Sequence, residues 1–112
     1  MHEKLTLLDN NNPVFPNPEK ALKEPAGLLA VGGNLTTTTL LSAYRQGIFP
    51  WYEHGQPILW WSPDPRAVIY PKQMHISRSL KKSMRRSDCE VRTNTDFSSV
   101  IELCAALRSN SL

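Results

Sequence analysis

The sequence predicts a small α+β domain, in which a hairpin and short strands pack against about three helices. Three segments carry apolar residues at helical spacing, and two short runs of β-branched and aromatic residues flank a proline-containing turn. The 112 residues, 40% of them hydrophobic, fit one domain with a modest core. We therefore treat residues 1–112 as one domain, with an irregular lead-in over residues 1–18 that is rich in asparagine and proline.

The first helix is predicted over residues 38–46. Thr36 or a neighbour can cap its amino-terminal end, and Gly47 is placed to end it. The apolar positions of this helix are Leu40, Leu41 and Tyr44.

A hairpin is predicted next, from residues 58–61 and 66–70. The sequence SPDP at residues 62–65 separates the two runs and is typical of a turn. Asp64 and Arg66 could pair to brace this hairpin, and we favour bracing over catalysis for them.

The second helix is predicted to begin at Ser77 and to be amphipathic. Ile76, Leu80 and Met84 form an apolar stripe at four-residue spacing, expected to face the core. The basic residues on the opposite side are Arg78, Lys82, Arg85 and Arg86. A row of arginine and lysine at helical pitch suits a nucleic-acid backbone, although a solvated helix face is the commoner explanation.

A short strand over residues 90–93 and a third helix capped by Asp96 complete the prediction. The apolar positions of this helix are Phe97, Val100, Ile101, Cys104 and Leu107. Cys104 is expected to be buried, and both cysteines to be reduced thiols.

Charge and composition narrow the class of protein. Residues 1–57 carry four Lys and Arg against five Asp and Glu, whereas residues 58–112 carry nine against five. The basic excess of the second part points to a polyanionic partner. The sequence contains no apolar run that could span a membrane, no signal-peptide pattern and no Cys/His cluster for a metal, so we expect a cytoplasmic protein without a metal site.

All three tryptophans lie within residues 47–68, a stretch rich in proline. Such a cluster is either a local core built from turns or a surface on which flat rings meet a flat ligand. Trp51 follows Phe49 and Pro50, which would hold its ring at the lip of a cleft where a base could stack. Trp60 and Trp61 are adjacent, so in a strand their rings face opposite sides and at least one belongs to the core.

Four consecutive blocks resemble the amino-terminal half of the leucyl/phenylalanyl-tRNA–protein transferases. They are GLLAVGGNL (27–35), LLSAYRQGIFPW (40–51), ILWWSPDPRAV (58–68) and HISRSLKK (75–82). The resemblance implies transfer of leucine or phenylalanine, and also methionine, from aminoacyl-tRNA to the amino-terminal Arg or Lys of proteins, which marks them for N-end rule degradation. The ester bond that joins the amino acid to the tRNA is already activated, so no cofactor or metal is expected.

The resemblance also implies roles for individual residues. Trp51 matches a tryptophan that lines the aminoacyl-adenosine site, and Tyr44 is expected to form a wall of the same cleft. The expected contacts to the tRNA acceptor arm are Arg78, Lys82, Arg85 and Arg86.

Family members continue into an acetyltransferase-like carboxyl-terminal domain, which the sequence largely lacks, so the chain resembles a product truncated after residue 108. No residue of the sequence is identified as catalytic, and we expect the isolated chain to be inactive. The alternatives are an RNA-binding module without catalysis and a truncation product that folds poorly.

Overall fold

The computed structural model describes residues 4–106, which divide into two compact units: a first unit up to Val68 and a second unit from Ile69. The strands are β1 (Thr6–Leu8), β2 (Leu28–Gly32), β3 (Phe49–Pro50) and β4 (Leu59–Trp61). The helices are α1 (Thr37–Arg45), α2 (Arg78–Arg86) and α3 (Phe97–Ala105), with short 3-10 helices at Pro18–Lys20 and Pro71–Gln73. The predicted α+β class is confirmed.

The four strands form one mixed sheet in the order β1-β2-β4-β3. β1 pairs with β2 in parallel, while β4 is antiparallel to both β2 and β3. Two consecutive strands that pair antiparallel are therefore β3 and β4. The predicted partner of β4, residues 66–70, is not a strand. Both edges of β4 are already hydrogen-bonded, by β2 and β3, which leaves no free edge for residues 66–70.

Trp60 is the centre of the core of the first unit. Its side chain is fully buried, and its indole N–H donates to the carbonyl oxygen of Gly32 at 2.8 Å. Its ring meets that of Phe15 edge to face, with 4.8 Å between the ring centroids. The other buried members of this cluster are Leu8, Leu29, Ala30, Ala43 and Ile48.

Local signals set the ends of α1 and the start of α2. The Thr36 hydroxyl accepts a hydrogen bond from the backbone N–H of Thr39, and the Ser77 hydroxyl accepts one from that of Leu80. Gly47 ends α1 with a φ of +73°, a conformation that favours glycine. Asp96 is the N-cap residue of α3, although its side chain makes no capping hydrogen bond.

Three predictions for the second unit are wrong. Residues 90–93 are not a strand; there Arg92 and Glu90 form an exposed ion pair at 2.8 Å. Cys104 is exposed. The apolar stripe of α2 is not buried: Ile76 is only partly covered, and Leu80 and Met84 are exposed. For Cys104 and the apolar stripe of α2, the reason is that helical spacing defines a face of a helix and does not supply a surface to cover it. Leu107, predicted on α3, lies outside the described residues.

Candidate RNA-binding site

Tyr44 lies in the last turn of α1, where the chain leaves the helix. The backbone N–H of Gly47 donates to the carbonyl oxygen of Tyr44 at 3.1 Å, and that of Ile48 donates to Ala43 at 2.9 Å. The Ile48 side chain is fully buried and so anchors the exit of the helix in the core. Tyr44 is 64% exposed, which leaves its ring available to a ligand.

Trp51 combines an exposed ring with a fixed backbone. Its side chain is 76% exposed. Its backbone N–H donates to the carbonyl oxygen of Leu59 at 3.0 Å, and its own carbonyl oxygen accepts from the indole N–H of Trp61 at 2.7 Å. A large ring held in solvent by a constrained backbone is suited to stacking against a nucleobase.

Tyr44 and Trp51 lie in the same unit, on either side of the Gly47 turn. Within residues 4–106 the structure records no ring contact between them. Both rings are exposed, whereas Trp60 is core and Trp61 is partly buried. The tryptophan cluster therefore includes both a core ring and a surface ring.

Arg66 does not pair with Asp64 as expected. Its Nη1 donates to the carbonyl oxygen of Gly47 at 2.6 Å, and its guanidinium carbon lies 5.1 Å from the centroid of the Phe49 ring. The turn at residues 62–65 thus directs Arg66 toward the connection between α1 and β3. Sequence spacing could not reveal this contact, because its two partners are nineteen residues apart.

A second candidate surface lies on α2, in the second unit. Its five basic side chains line an open groove of about 390 Å³: Arg78, Lys81, Lys82, Arg85 and Arg86. Four of them were predicted as RNA contacts. Lys81 belongs to the same run of basic residues but was not placed on that face, although it lies one turn before Arg85 and helical spacing could have placed it there.

Within residues 4–106, no carboxylate forms an ion pair with the basic side chains of this groove. The ion pair recorded there joins Arg92 to Glu90, and none of the basic residues of α2 takes part in it. An uncompensated row of cations attracts a polyanion such as an RNA backbone.

The described residues offer neither a metal site nor a membrane span. Residues 4–106 contain no group of three or more His, Cys, Asp or Glu side chains that could hold a metal ion. No helix in this part of the chain has the length and apolar character needed to cross a membrane. We assign no catalytic residue within residues 4–106.

Comparison with known proteins identifies the family. The profile described as "Leucyl/phenylalanyl-tRNA protein transferase N-terminal domain" matches residues 33–64, and the profile described as "Leucyl/phenylalanyl-tRNA protein transferase" matches residues 68–111. The boundary between the two matches lies next to the division between the two structural units at Val68.

Curated relatives that carry the name leucyl/phenylalanyl-tRNA–protein transferase include the following three. The protein of Pseudomonas syringae pv. syringae is 59% identical over 105 residues, which are 94% of this chain and 46% of the relative. That of Pseudomonas entomophila is 57% identical, with 93% of this chain and 46% of the relative covered. That of Escherichia fergusonii is 55% identical, with 94% and 45% covered.

The chain thus spans less than half the length of these relatives. Two adjacent family profiles and relatives of 55 to 59% identity over nearly the whole chain all indicate the same family. This chain belongs to the leucyl/phenylalanyl-tRNA–protein transferase family and corresponds to the amino-terminal part of its members.

Proposed function

We propose that this chain supplies the RNA-binding part of an aminoacyl-tRNA–protein transferase. In the proposed assignment, Trp51 and Tyr44 bind the 3'-terminal adenosine of aminoacyl-tRNA, and the basic groove of α2 binds phosphates of the acceptor arm. The proposed reaction transfers leucine, phenylalanine or methionine to the amino-terminal Arg or Lys of a protein in the cytoplasm and marks that protein for N-end rule degradation. The family membership and the names of the relatives support the transfer of leucine or phenylalanine from tRNA to protein.

The chemistry separates binding from catalysis. The α-amine of the protein substrate attacks the ester carbon of aminoacyl-tRNA, an amide bond forms, and the bond to the ribose oxygen breaks. An enzyme that promotes this step must orient the amine and the ester, accept a proton and stabilise the oxyanion. Since we assign neither of the last two tasks to residues 4–106, the proposed contribution of this chain is to bind and orient the RNA.

The observation that carries the proposal is that Trp51 combines an exposed ring with a hydrogen-bonded backbone. An exposed tryptophan would ordinarily gain stability by packing, yet this ring is 76% exposed while both polar groups of its backbone are hydrogen-bonded. The stacking of a base on such a ring contributes about 1 to 3 kcal/mol. The basic groove adds phosphate contacts that do not depend on the base.

The test uses two RNA hairpins, one with a single-stranded 3' end of sequence CCA and one that ends in CC. We expect Trp51→Ala and Tyr44→Ala to weaken binding of the CCA hairpin and to leave binding of the CC hairpin unchanged. Tyr70→Ala is the matched control, because Tyr70 is 65% exposed, close to the 64% of Tyr44, but lies in the other unit. Equal losses on both hairpins would contradict an adenosine site.

An RNA-binding module without catalysis is the second candidate. The observation that favours it is that the aromatic and basic surfaces both suit RNA, while no catalytic residue is assigned within residues 4–106. The two candidates differ when the chain is joined to the carboxyl-terminal part of a relative. The first predicts that the joined protein transfers labelled leucine or phenylalanine from charged tRNA to a protein that begins with Arg or Lys, whereas the second predicts no transfer above the level without enzyme; neither predicts transfer by the chain alone.

A further inference from the structure

The segment that presents Trp51 is held at both ends by side chains from β4 and the turn that follows it. At its start, the carbonyl oxygen of Gly47 accepts hydrogen bonds from Arg66 Nη1 at 2.6 Å and from the Ser62 hydroxyl at 3.2 Å. At its end, the carbonyl oxygen of Trp51 accepts one from the indole N–H of Trp61 at 2.7 Å. Residues 47–51 are therefore fixed by groups that are distant in sequence.

We infer that Arg66 and Trp61 are positioning residues, which hold residues 47–51 so that the Trp51 ring is presented in one orientation. This inference rests on the proposed function, because the orientation matters only if the ring binds a ligand. Neither residue is proposed to touch the RNA.

The contacts of Arg66 exceed what the Gly47 carbonyl requires, since Gly47 is partly buried and its carbonyl oxygen already accepts from the Ser62 hydroxyl. The structure adds a charged guanidinium there at a short distance. The same guanidinium lies over the Phe49 ring, a favourable cation–π geometry. Arg66 thus contacts two residues of the segment, one at each side of the buried Ile48.

Trp61 acts at the other end, where its indole N–H holds the Trp51 carbonyl oxygen while the Trp51 N–H donates to the carbonyl oxygen of Leu59. Pro50 precedes Trp51 and has no N–H to donate, and β3 is an edge strand of the sheet. The bond from Trp61 therefore adds a constraint immediately at the residue that carries the exposed ring. A ring already held in its bound orientation loses less conformational entropy when a ligand binds.

The experiment measures the order of each tryptophan side chain in the whole chain by ¹⁵N relaxation of the three indole N–H groups. The variants are Trp61→Phe, which removes the donor and keeps a ring, and Arg66→Ala with its conservative counterpart Arg66→Lys. The indole of Trp60 is the internal standard, because it is buried and donates to Gly32. Lys20→Ala is the control for charge: Lys20 is an exposed cation of the same unit, and within residues 4–106 no side-chain hydrogen bond or ion pair is recorded for it.

We expect Trp61→Phe and Arg66→Ala to lower the order of the Trp51 indole toward the range of flexible groups, with the Trp60 signal unchanged. Affinity for the CCA hairpin should fall about 2- to 10-fold, the range that one hydrogen bond contributes, while affinity for the CC hairpin stays constant. Arg66→Lys should recover part of both losses, since it retains the charge and one donor. Lys20→Ala should change neither the order of Trp51 nor the difference between the two hairpins.

Two results would overturn the inference. One is an unchanged order of the Trp51 indole in both Trp61→Phe and Arg66→Ala. The other is a Trp60 signal that shifts or broadens in the conservative variants Trp61→Phe and Arg66→Lys as well. That result would make Arg66 and Trp61 part of the general scaffold. If Trp51→Ala binds both hairpins as the unaltered chain does, the proposed adenosine site fails, and the side-chain order alone then decides whether Arg66 and Trp61 position the ring.

Discussion

Trp60→Ala should destabilise the first unit far more than Trp51→Ala, although both remove the same side chain. Trp60 is fully buried, stacks edge to face on Phe15 and donates a hydrogen bond to Gly32. Its truncation leaves a large cavity and should cost about 3 to 5 kcal/mol. Small domains have a total free energy of unfolding of about 5 to 15 kcal/mol, so this loss is a large share of the whole.

Trp60→Phe separates the hydrogen bond from the packing. A phenyl ring keeps much of the contact with Phe15 but leaves the Gly32 carbonyl without the indole donor, which should cost about 1 to 3 kcal/mol. Trp51→Ala removes a ring that is mostly in solvent and should change the free energy of unfolding by less than about 0.5 kcal/mol.

The assay is urea unfolding at 25 °C, followed by far-ultraviolet circular dichroism for the three variants and the unaltered chain. The expected order of stability places Trp51→Ala beside the unaltered chain, Trp60→Phe below it and Trp60→Ala lowest. If Trp51→Ala proves as destabilising as Trp60→Ala, Trp51 is part of the core, and the exposed ring no longer supports a stacking site.

Three further predictions follow from the same structure. The double variant Arg85→Ala, Arg86→Ala should bind charged and uncharged tRNA more weakly by similar factors. The slope of log affinity against log salt should become shallower by about 0.7 to 0.9 for each phosphate that the variant no longer binds. An unchanged slope would make α2 an ordinary solvated helix. Leu80→Asp should leave the urea midpoint of the first unit unchanged, because Leu80 is 51% exposed and lies in the second unit; a lower midpoint would show that it is packed in a core. The isolated chain should transfer no labelled leucine from charged tRNA to a protein that begins with Arg, and any transfer above the level without enzyme would place catalytic groups in this chain.

Features that depend on neighbours in the sequence were predictable. The caps at Thr36 and Ser77 and the turn at Gly47 follow from side-chain oxygens and a missing Cβ, which act within one turn of a helix. The basic face of α2 is likewise a matter of spacing along one helix. The exposure of Trp51 was also predicted, because a helix end and a proline restrict the chain just before it.

Features that depend on distant residues were decided only by the tertiary structure. The pairing of β4 with β2 and β3, in place of residues 66–70, reflects competition for strand edges, which a local pattern does not reveal. The exposure of Cys104 has a similar cause, because burial requires a covering surface as well as an apolar face. The hydrogen bonds of Arg66 to Gly47 and of Trp61 to Trp51 join residues that only the fold brings together. Composition and spacing determined which rings and charges this protein carries. The sheet determined which ring is buried and which is held in solvent.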